Sequence, residues 1–443
     1  MKRNVKNTAL ALLCILMVVI AAGCGIKPDN AANGNANPEQ GNTSGNKKVV
    51  VDLWSIWDPS NGNGKILNDA ALKFNESHPG VEVVVSGQGG YDGVAEKLEA
   101  ALVAKNTPVI AQIEESFLTR YSPVAADLNK YMSKETIDNY IDGLTRSSYG
   151  DGVFKAAPMN RSTPILYMNA DMFKAAGLPL EGPKTWDQLY EYAKKLSDPA
   201  KGIYGFTSYW DSDAWYWESA VYSYGGEIVS DDGSKVLFDN EKGWGIVELW
   251  QKMVKEKAMF SPYGAQDNQS DLVNQKFLEG KAAMMFSSVG AMGTILKENH
   301  GFEVQVAYQP AGEKNSIVTG GANMIILDRA TEEQKKAAVQ FLEYLASDEF
   351  VVSFFKDSGY LPTTKSSLDA DAMKQLIDEK PQYKVAIDQL EFAHKRPWQK
   401  NWRAMYLAIV EQLQLALIDT KQDPQQIIHK AAELSQTIID ENQ

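Results

Sequence analysis

The chain has 443 residues, 44% of them apolar, which is enough material for two hydrophobic cores and excludes a disordered protein. Its formal charge of −13 argues against nucleic-acid binding, because that function depends on Lys and Arg meeting phosphates. A few local cations can still bind a small anion.

The first 23 residues have the pattern of a secretory signal. Lys2 and Arg3 precede an apolar run over residues 9–22, which is too short for a comfortable membrane span, and small residues follow it. We therefore expect residues 1–23 to be a lipoprotein signal peptide that is removed on export.

Cys24 follows this segment directly. The preceding Ala-Ala-Gly is similar to the lipobox of bacterial lipoproteins, with Ala21 where Leu is usual. Residues 24–47 continue in Asn, Gly, Ser and Pro, which predicts a lipidated Cys24 and a flexible tether. Since Cys14 is the only other cysteine and leaves with the signal, we expect neither a disulfide nor a Cys-ligated metal in the folded part.

The globular part opens with alternating strands and helices. This βαβαβ order is typical of a parallel sheet covered by helices, in which ligands bind at the carboxyl ends of the strands. Trp54, Trp57, Tyr91 and Glu115 fall at such ends or just beyond them. The predicted strands cover 48–54, 81–85 and 109–113, with helices between them, the second over 94–105.

Residues 156–177 predict a crossover between two lobes. Ser162 and Thr163 precede an apolar run of strand length, residues 164–168, and a short helix then ends at Gly177. The segment therefore presents hydroxyls at the end of a buried strand.

Residues 205–226 are dense in aromatic side chains interleaved with Ser and Asp. Such rings can stack on a sugar or polyol, and we single out Trp210 and Trp215 for that role. The alternative is that most of these rings simply pack a helix.

Two later segments repeat the change from polar to apolar residues. Thr319 to Ala322 contains Gly320 and Gly321, whose backbone can approach a ligand closely, and residues 358–364 form a third crossover. Three crossovers, at roughly 157–168, 310–323 and 358–364, divide the chain into discontinuous lobes, 48–157 with 321–360 and 160–315 with 363–443. A hinge of several strands permits the lobes to close on a ligand.

The globular part resembles the extracellular solute-binding proteins of bacterial ABC importers, in the cluster that contains maltose-binding proteins. Within it, the chain is most similar to the binders of glycerol-3-phosphate and glycerophosphodiesters. The resemblance implies an α/β, two-lobe periplasmic-binding-protein fold with a three-segment hinge. The similar stretches are 112–115, 162–167, 184–186, 319–322 and 358–362.

The resemblance also implies a set of ligand-binding residues. In these binders two serines, a glycine amide, a tyrosine and an arginine hold the phosphate, and a tyrosine, a glutamate and a tryptophan hold the glycerol. The matching positions are Ser162, Ser288, Gly321, Tyr360 and Arg403 for the phosphate, and Tyr91, Glu115 and Trp210 for the glycerol.

The resemblance leaves two questions open, the role of Arg161 and the identity of the cation that meets the phosphate. Arg161 stands where a small polar residue is common, so it either joins the phosphate end or faces solvent. The segment around Arg403 differs in length from the binders, so Arg396 or Lys400 is an alternative cation.

We therefore predict a monomeric, lipid-anchored binding component of an ABC importer on the outer face of the cytoplasmic membrane, serving a permease pair. The alternative from the same fold is a binder of neutral oligosaccharides. An enzyme is disfavoured, since no HExxH, P-loop or GxSxG motif is present, and no cofactor is expected.

Overall fold

A computed structural model describes residues 48–210, 214–263, 268–297, 300–394, 396 and 401–441. The part of the chain from Lys47 to Gln443 forms one compact unit. The predicted signal peptide, Cys24 and the tether lie outside the described residues and stay predictions.

Twelve strands are present in the described ranges. They are β1 (Val49–Ser55), β2 (Val81–Gly87), β3 (Ile110–Glu114), β4 (Tyr149–Gly150), β5 (Val153–Phe154), β6 (Ala156–Ser162), β7 (Pro164–Asn169), β8 (Tyr204–Thr207), β9 (Met259–Phe260), β10 (Ala282–Ser288), β11 (Val304–Ala307) and β12 (Gly320–Ile326).

The same ranges contain eighteen α-helices. They are α1 (Gly62–Ser77), α2 (Gly90–Ala104), α3 (Leu118–Tyr121), α4 (Lys134–Asn139), α5 (Asp142–Thr145), α6 (Ala170–Ala176), α7 (Trp186–Leu196), α8 (Trp215–Ser223), α9 (Glu241–Lys255), α10 (Gln269–Leu278), α11 (Met292–Ile295), α12 (Glu332–Leu345), α13 (Asp348–Ser358), α14 (Lys365–Asp369), α15 (Asp371–Glu379), α16 (Gln382–Asp388), α17 (Trp402–Ile418) and α18 (Pro424–Asp440). None of these helices combines the length and apolarity that a membrane crossing requires.

Local sequence signals explain where several helices begin and end. Asn169 caps α6 by accepting a hydrogen bond from the Met172 amide at 3.0 Å, and Gly177 closes that helix with φ of 63°. Thr331 and Gln334 form a reciprocal capping box on α12. The predicted end of α6 at Gly177 is confirmed.

Two five-stranded sheets organise the two lobes. The first has the order β2-β1-β3-β12-β6, with β1 parallel to β2 and β3, which confirms the predicted parallel βαβαβ opening. The second has the order β11-β7-β10-β8-β9. Only Thr163 separates β6 in the first sheet from β7 in the second, so the predicted crossover is a direct passage from one sheet to the other.

The cores lie on the faces of these sheets. The first lobe packs β1, β2 and β12 against α1 and α12, and the second packs β7 and β10 against α8, α9, α17 and α18. Helix α13 serves both lobes, because Phe354 belongs to the core of the first lobe and Phe355 to a core of the second. The predicted lobe boundaries themselves stay a prediction.

Candidate functional site

A cavity of about 280 Å³ lies between the lobes. We call it the interlobe cavity, and it sits where β3 ends, the edge at which the sequence predicts a ligand. Its walls come from the start of α2 and the turn after β3 in the first lobe, and from α17 in the second. The lining residues are Gly89, Gly90, Tyr91, Asp92, Glu114, Ser116, Phe117, Arg403 and Tyr406.

The wall of this cavity combines acidic and aromatic side chains with one arginine. Arg403 Nη2 donates to Asp92 Oδ2 at 2.6 Å, and this bond joins α17 of the second lobe to α2 of the first. The Arg403 side chain is 23% exposed and that of Asp92 is 59% exposed, so water screens the pair. The Arg403–Asp92 pair therefore contributes little to the free energy of unfolding, and its main effect is to link the two lobes.

Glu114 is the second acid of the cavity wall. Its Oε2 accepts bonds from the Ser116 amide at 2.9 Å and from the Ser116 hydroxyl. Within the described ranges nothing donates to Oε1. Burial raises the pKa of the Glu114 carboxyl above its usual 4.5, and the charge of Arg396 opposes the rise.

Four charged side chains form a buried ion network next to the cavity, namely Glu115, Arg161, Glu218 and Arg396. They come from the turn after β3, from β6, from α8 and from the segment before α17. The largest exposed fraction among the four side chains is 3%, at Arg396. Two carboxylates therefore balance two guanidinium groups out of contact with water.

Glu115 is saturated by its partners. Its Oε2 accepts from the Ser147 hydroxyl at 2.8 Å and from Arg161 Nη2, and its Oε1 accepts from Arg396 Nη1 at 3.2 Å and from the Thr319 hydroxyl at 3.3 Å. A carboxylate has about four acceptor positions. All of them are occupied inside the protein.

The hydroxyls of Ser147 and Thr319 also bridge Arg161 and Glu115. Arg161 Nη1 donates to Ser147 Oγ at 2.9 Å and Nη2 donates to Thr319 Oγ1 at 3.2 Å, while both hydroxyls donate on to Glu115. Asn323 Oδ1 accepts from Arg161 Nη1 at 3.0 Å. Burial lowers the pKa of Arg161 to about 9, so it stays charged at neutral pH.

Arg396 joins the two acids of the network. Its Nε and Nη2 form a fork on Glu218 at 2.8 and 2.7 Å, while Nη1 reaches Glu115 in the other lobe. The Tyr406 hydroxyl accepts from Arg396 Nη2 at 2.5 Å and donates to Glu218. Because Tyr406 also lines the cavity, the network and the cavity are neighbours.

A second cluster gathers around the end of β6. Gly320 lies opposite Ser162, Gly321 lies opposite Arg161, and the Leu361 amide donates to the Arg161 carbonyl at 2.8 Å. The Val289 amide donates to the Thr163 carbonyl at 3.0 Å. The hinge strands therefore bring four of the predicted residues together, Ser162, Ser288, Gly321 and Tyr360, and we call these the hinge cluster.

The backbone at position 321 accepts only glycine. Its φ is 94°, and a Cβ there would lie 1.9 Å from the Asn160 carbonyl oxygen. The close approach of two backbones requires glycine.

Asn160 connects the hinge cluster to the cavity. Its Nδ2 donates to the Tyr91 hydroxyl at 3.3 Å, and a hydrogen bond from Asn160 partly offsets the burial that raises the pKa of Tyr360. Gln112 fixes the orientation of Asn160 by donating to its Oδ1 at 2.7 Å.

Comparison with known proteins identifies the architecture. The profile of the family described as Bacterial extracellular solute-binding protein matches residues 69–384. The chain belongs to this family. It is a solute-binding protein, the substrate-binding component of an ABC importer, with the two-lobe fold of periplasmic binding proteins.

Relatives and solved structures with this fold carry different ligands. The sn-glycerol-3-phosphate-binding periplasmic protein UgpB of Pectobacterium atrosepticum is 26% identical over 89% of this chain and 93% of its own length. UgpB from Mycobacterium tuberculosis in complex with glycerophosphocholine has a TM-score of 0.77 at 22% identity, covering 88% of this chain and 98% of that one. Maltose-bound T. maritima MalE3 has a TM-score of 0.78 at 20% identity, covering 88% and 100%. All three are binding proteins, and the family is extracellular or periplasmic.

The structure corrects the role expected for Trp210. This side chain is 0% exposed and stacks on Trp250 at 4.4 Å in the core of the second lobe. Every residue of α8 is buried as well, which confirms that most rings of the aromatic stretch pack a helix. Trp215 lies at the hinge, where its Nε1 donates to the Thr319 carbonyl at 3.1 Å.

Glu115 and Arg403 lie near the site in unexpected settings. Glu115 is saturated inside the buried ion network, so in this conformation it offers no oxygen to a ligand, contrary to the expected contact with glycerol hydroxyls. Arg403 lines the cavity, and the alternative cation Arg396 lies in the network. Arg161 does not face solvent. Lys400 is outside the described residues.

Sequence reasoning missed Glu218, Tyr406, Asp92 and the position of Glu114 in the cavity wall. Glu218 had a usable signal, because it is the one acid within the otherwise uncharged helix α8. A carboxylate surrounded by aromatic residues needs a buried cation. Asp92 and Tyr406 carried no comparable signal.

Proposed function

We propose that this solute-binding protein is lipid-anchored and captures glycerophosphodiesters between its closing lobes, with glycerol-3-phosphate as a weaker ligand. The observation that carries the proposal is the pairing of two chemically different regions. The hinge cluster offers hydroxyls and a glycine amide to phosphate oxygens, and the interlobe cavity offers acids and rings to the rest of the ligand.

The charge balance favours a diester over a monoester. Both buried arginines are matched by carboxylates, and the cavity wall adds Asp92 and Glu114 against Arg403. A phosphate monoester carries about −1.5 to −2 at pH 7, whereas a diester has a single ionisable oxygen and carries about −1. A region with no excess of positive charge therefore takes the diester at lower electrostatic cost.

A cationic head group would complete this match. Tyr91, Phe117 and Tyr406 line the cavity together with Glu114. Rings beside a carboxylate bind quaternary ammonium groups, at about 0.5–2 kcal/mol for each cation–ring contact. Glycerophosphocholine, the ligand in the M. tuberculosis relative, has such a group.

Cavity size supports a small ligand. Ligand sites typically have volumes of about 300–1,000 Å³, and 280 Å³ lies at the lower limit. A long oligosaccharide needs more room, and the core position of Trp210 removes one ring on which a sugar was expected to stack.

Closure would couple binding to delivery. Arg403 with Asp92 and Arg396 with Glu115 are contacts across the lobes, so they form only when the lobes approach. A ligand that adds further contacts across the cleft shifts the population to the closed form. The closed form would then dock on the permease pair.

A neutral sugar or polyol is the second candidate. The observation in its favour is the same charge balance, because a ligand without charge needs no unmatched cation. Solved neighbours with maltose and with ribitol bound have this fold.

Calorimetric titration with glycerophosphocholine, glycerol-3-phosphate, ribitol and maltose tests the proposal. We expect glycerophosphocholine to bind tightest, and Arg403→Ala to weaken it at least tenfold. Arg329→Ala is the matched control, because Arg329 is exposed and lies in the turn after β12. Binding of maltose or ribitol alone would overturn the glycerophosphodiester proposal.

The lipid anchor has its own test. Cys24 follows the signal pattern and precedes a tether whose reach is on the order of 25 Å by random-coil scaling. Metabolic labelling with a fatty-acid analogue should mark the wild-type protein, and Cys24→Ser should lose both the label and the membrane fraction. An unlabelled wild-type protein would refute the anchor.

A further inference from the structure

Two adjacent acids, Glu114 and Glu115, end β3 at the ligand edge of the first sheet. Their settings differ completely. Glu115 is 1% exposed and holds four bonds from protein donors, whereas Glu114 lines the interlobe cavity. One of the two carboxylates is available to a ligand and the other is withheld.

Arg161 is the reason for the difference. It contacts Glu115 directly, and it also donates to the two hydroxyls, Ser147 and Thr319, that donate to the same carboxylate. Without Arg161, the network would keep two acids and one guanidinium, and Glu115 would lose one direct donor and the orientation of two others.

We propose that Arg161 is a specificity-determining residue, which locks Glu115 inside the buried ion network and leaves Glu114 as the carboxylate presented to the ligand. This inference rests on the proposed function for the identity of the ligand. It adds that the protein discriminates against ligands whose recognition requires a second acceptor for vicinal hydroxyls.

The chemistry explains the direction of the discrimination. A free carboxylate binds two neighbouring hydroxyls of a polyol by accepting from both. A saturated carboxylate can do so only by releasing Ser147, Thr319 or an arginine, which leaves a buried polar group unpaired. Neutral polyols that depend on this contact are therefore disfavoured, whereas glycerophosphocholine also meets Glu114 through its cationic group and the hinge cluster through its phosphate.

The test compares four variants of the full chain, Glu114→Gln, Glu115→Gln, Arg161→Ser and the double variant Arg161→Ser with Glu115→Gln. Glycerophosphocholine and ribitol are the probes in calorimetric titration. We expect Glu114→Gln to weaken glycerophosphocholine at least tenfold more than Glu115→Gln does. Arg161→Ser should strengthen ribitol at least tenfold, and the double variant should lose that gain.

The opposite direction of the two affinity changes separates specificity from simple damage. A general structural defect caused by the loss of Arg161 would weaken glycerophosphocholine and ribitol alike, whereas release of Glu115 strengthens ribitol alone. Circular dichroism and thermal melting establish that each variant is folded. A larger loss of glycerophosphocholine affinity in Glu115→Gln than in Glu114→Gln would overturn the proposal.

A second measurement requires no ligand. Carbodiimide coupling to glycine ethyl ester modifies accessible carboxylates, and peptide fragmentation distinguishes positions 114 and 115. Glu114 should react in the wild-type protein and Glu115 only after Arg161→Ser. Equal reaction of both acids in the wild type would refute the lock, even if the ligand proved to be a sugar and the proposed function had failed.

Discussion

Replacing Arg396 by glutamine should destabilise the protein strongly at neutral pH. Arg396 makes the fork on Glu218 at 2.8 and 2.7 Å and reaches Glu115 at 3.2 Å, all without access to water. Its removal leaves Glu218 buried without a cation and dependent on neutral donors such as the Tyr406 hydroxyl. Breaking a buried ion pair from one side costs about 3–5 kcal/mol.

The pH dependence of this loss identifies its cause. Burial already raises the pKa of Glu218, and the Arg396 charge limits that rise. In the variant the pKa is higher still, so the folded state binds a proton that the unfolded chain releases near its ordinary value. The free energy of unfolding of the variant therefore falls as the pH rises above about 4.5. The difference in this free energy between the variant and the wild type grows over the same pH range.

Urea unfolding, followed by tryptophan fluorescence and repeated over that pH range, measures the difference in the free energy of unfolding. The Trp402 ring lies 5.8 Å from the Arg396 guanidinium and serves as a nearby reporter. Arg329→Gln on the surface should change the free energy of unfolding by less than about 0.5 kcal/mol. A loss below about 1 kcal/mol for Arg396→Gln, or one that does not change with pH, would show that the network is not ionised as described.

Three other outcomes are expected. Gly321→Ala should reduce both stability and ligand affinity, since its Cβ would lie 1.9 Å from the Asn160 carbonyl oxygen. The control Gly202→Ala, at a position with φ of 66° and open space around the added Cβ, should lower stability only modestly in thermal melts. Trp210→Phe should lower the melting temperature and leave the ratio of ligand affinities unchanged, and a selective loss of one ligand in titration would return Trp210 to the binding site. Affinity for glycerophosphocholine should fall as the pH drops through a window above 4.5, because burial raises the pKa of Glu114 and protonation removes its charge; a Glu114→Gln protein with the same pH profile would contradict this assignment.

Much of the fold was predictable because its signals are local. The strand and helix alternation of residues 48–114 and the end of α6 at Gly177 each depend on neighbours within a few positions, and the structure confirms them. The polar segment before β7 also predicted the passage between the two sheets at Thr163, while the lobe boundaries stay a prediction. The convergence of Ser162, Ser288, Gly321 and Tyr360 at the hinge required the family resemblance in addition.

The roles of the charged and aromatic residues were not predictable in the same way. Trp210 and Glu115 had the right residue types for a ligand site, but one stacks in a core and the other is saturated by donors from four distant segments. Whether a carboxylate meets a ligand or an arginine depends on partners up to 281 positions away. Sequence periodicity carries no information on such pairs.

The amino-acid sequence by itself determined the alternating architecture of the first lobe and the passage between the two sheets at Thr163, and the family resemblance added the class of protein and the residues of the hinge cluster. The tertiary structure alone decided which acid faces the cavity, which arginine is neutralised and which ring is buried. The physical reason is that helices, strands and turns are set by short-range backbone preferences, whereas the cost of burying a charge is settled only by the opposite charges that the completed fold brings within reach.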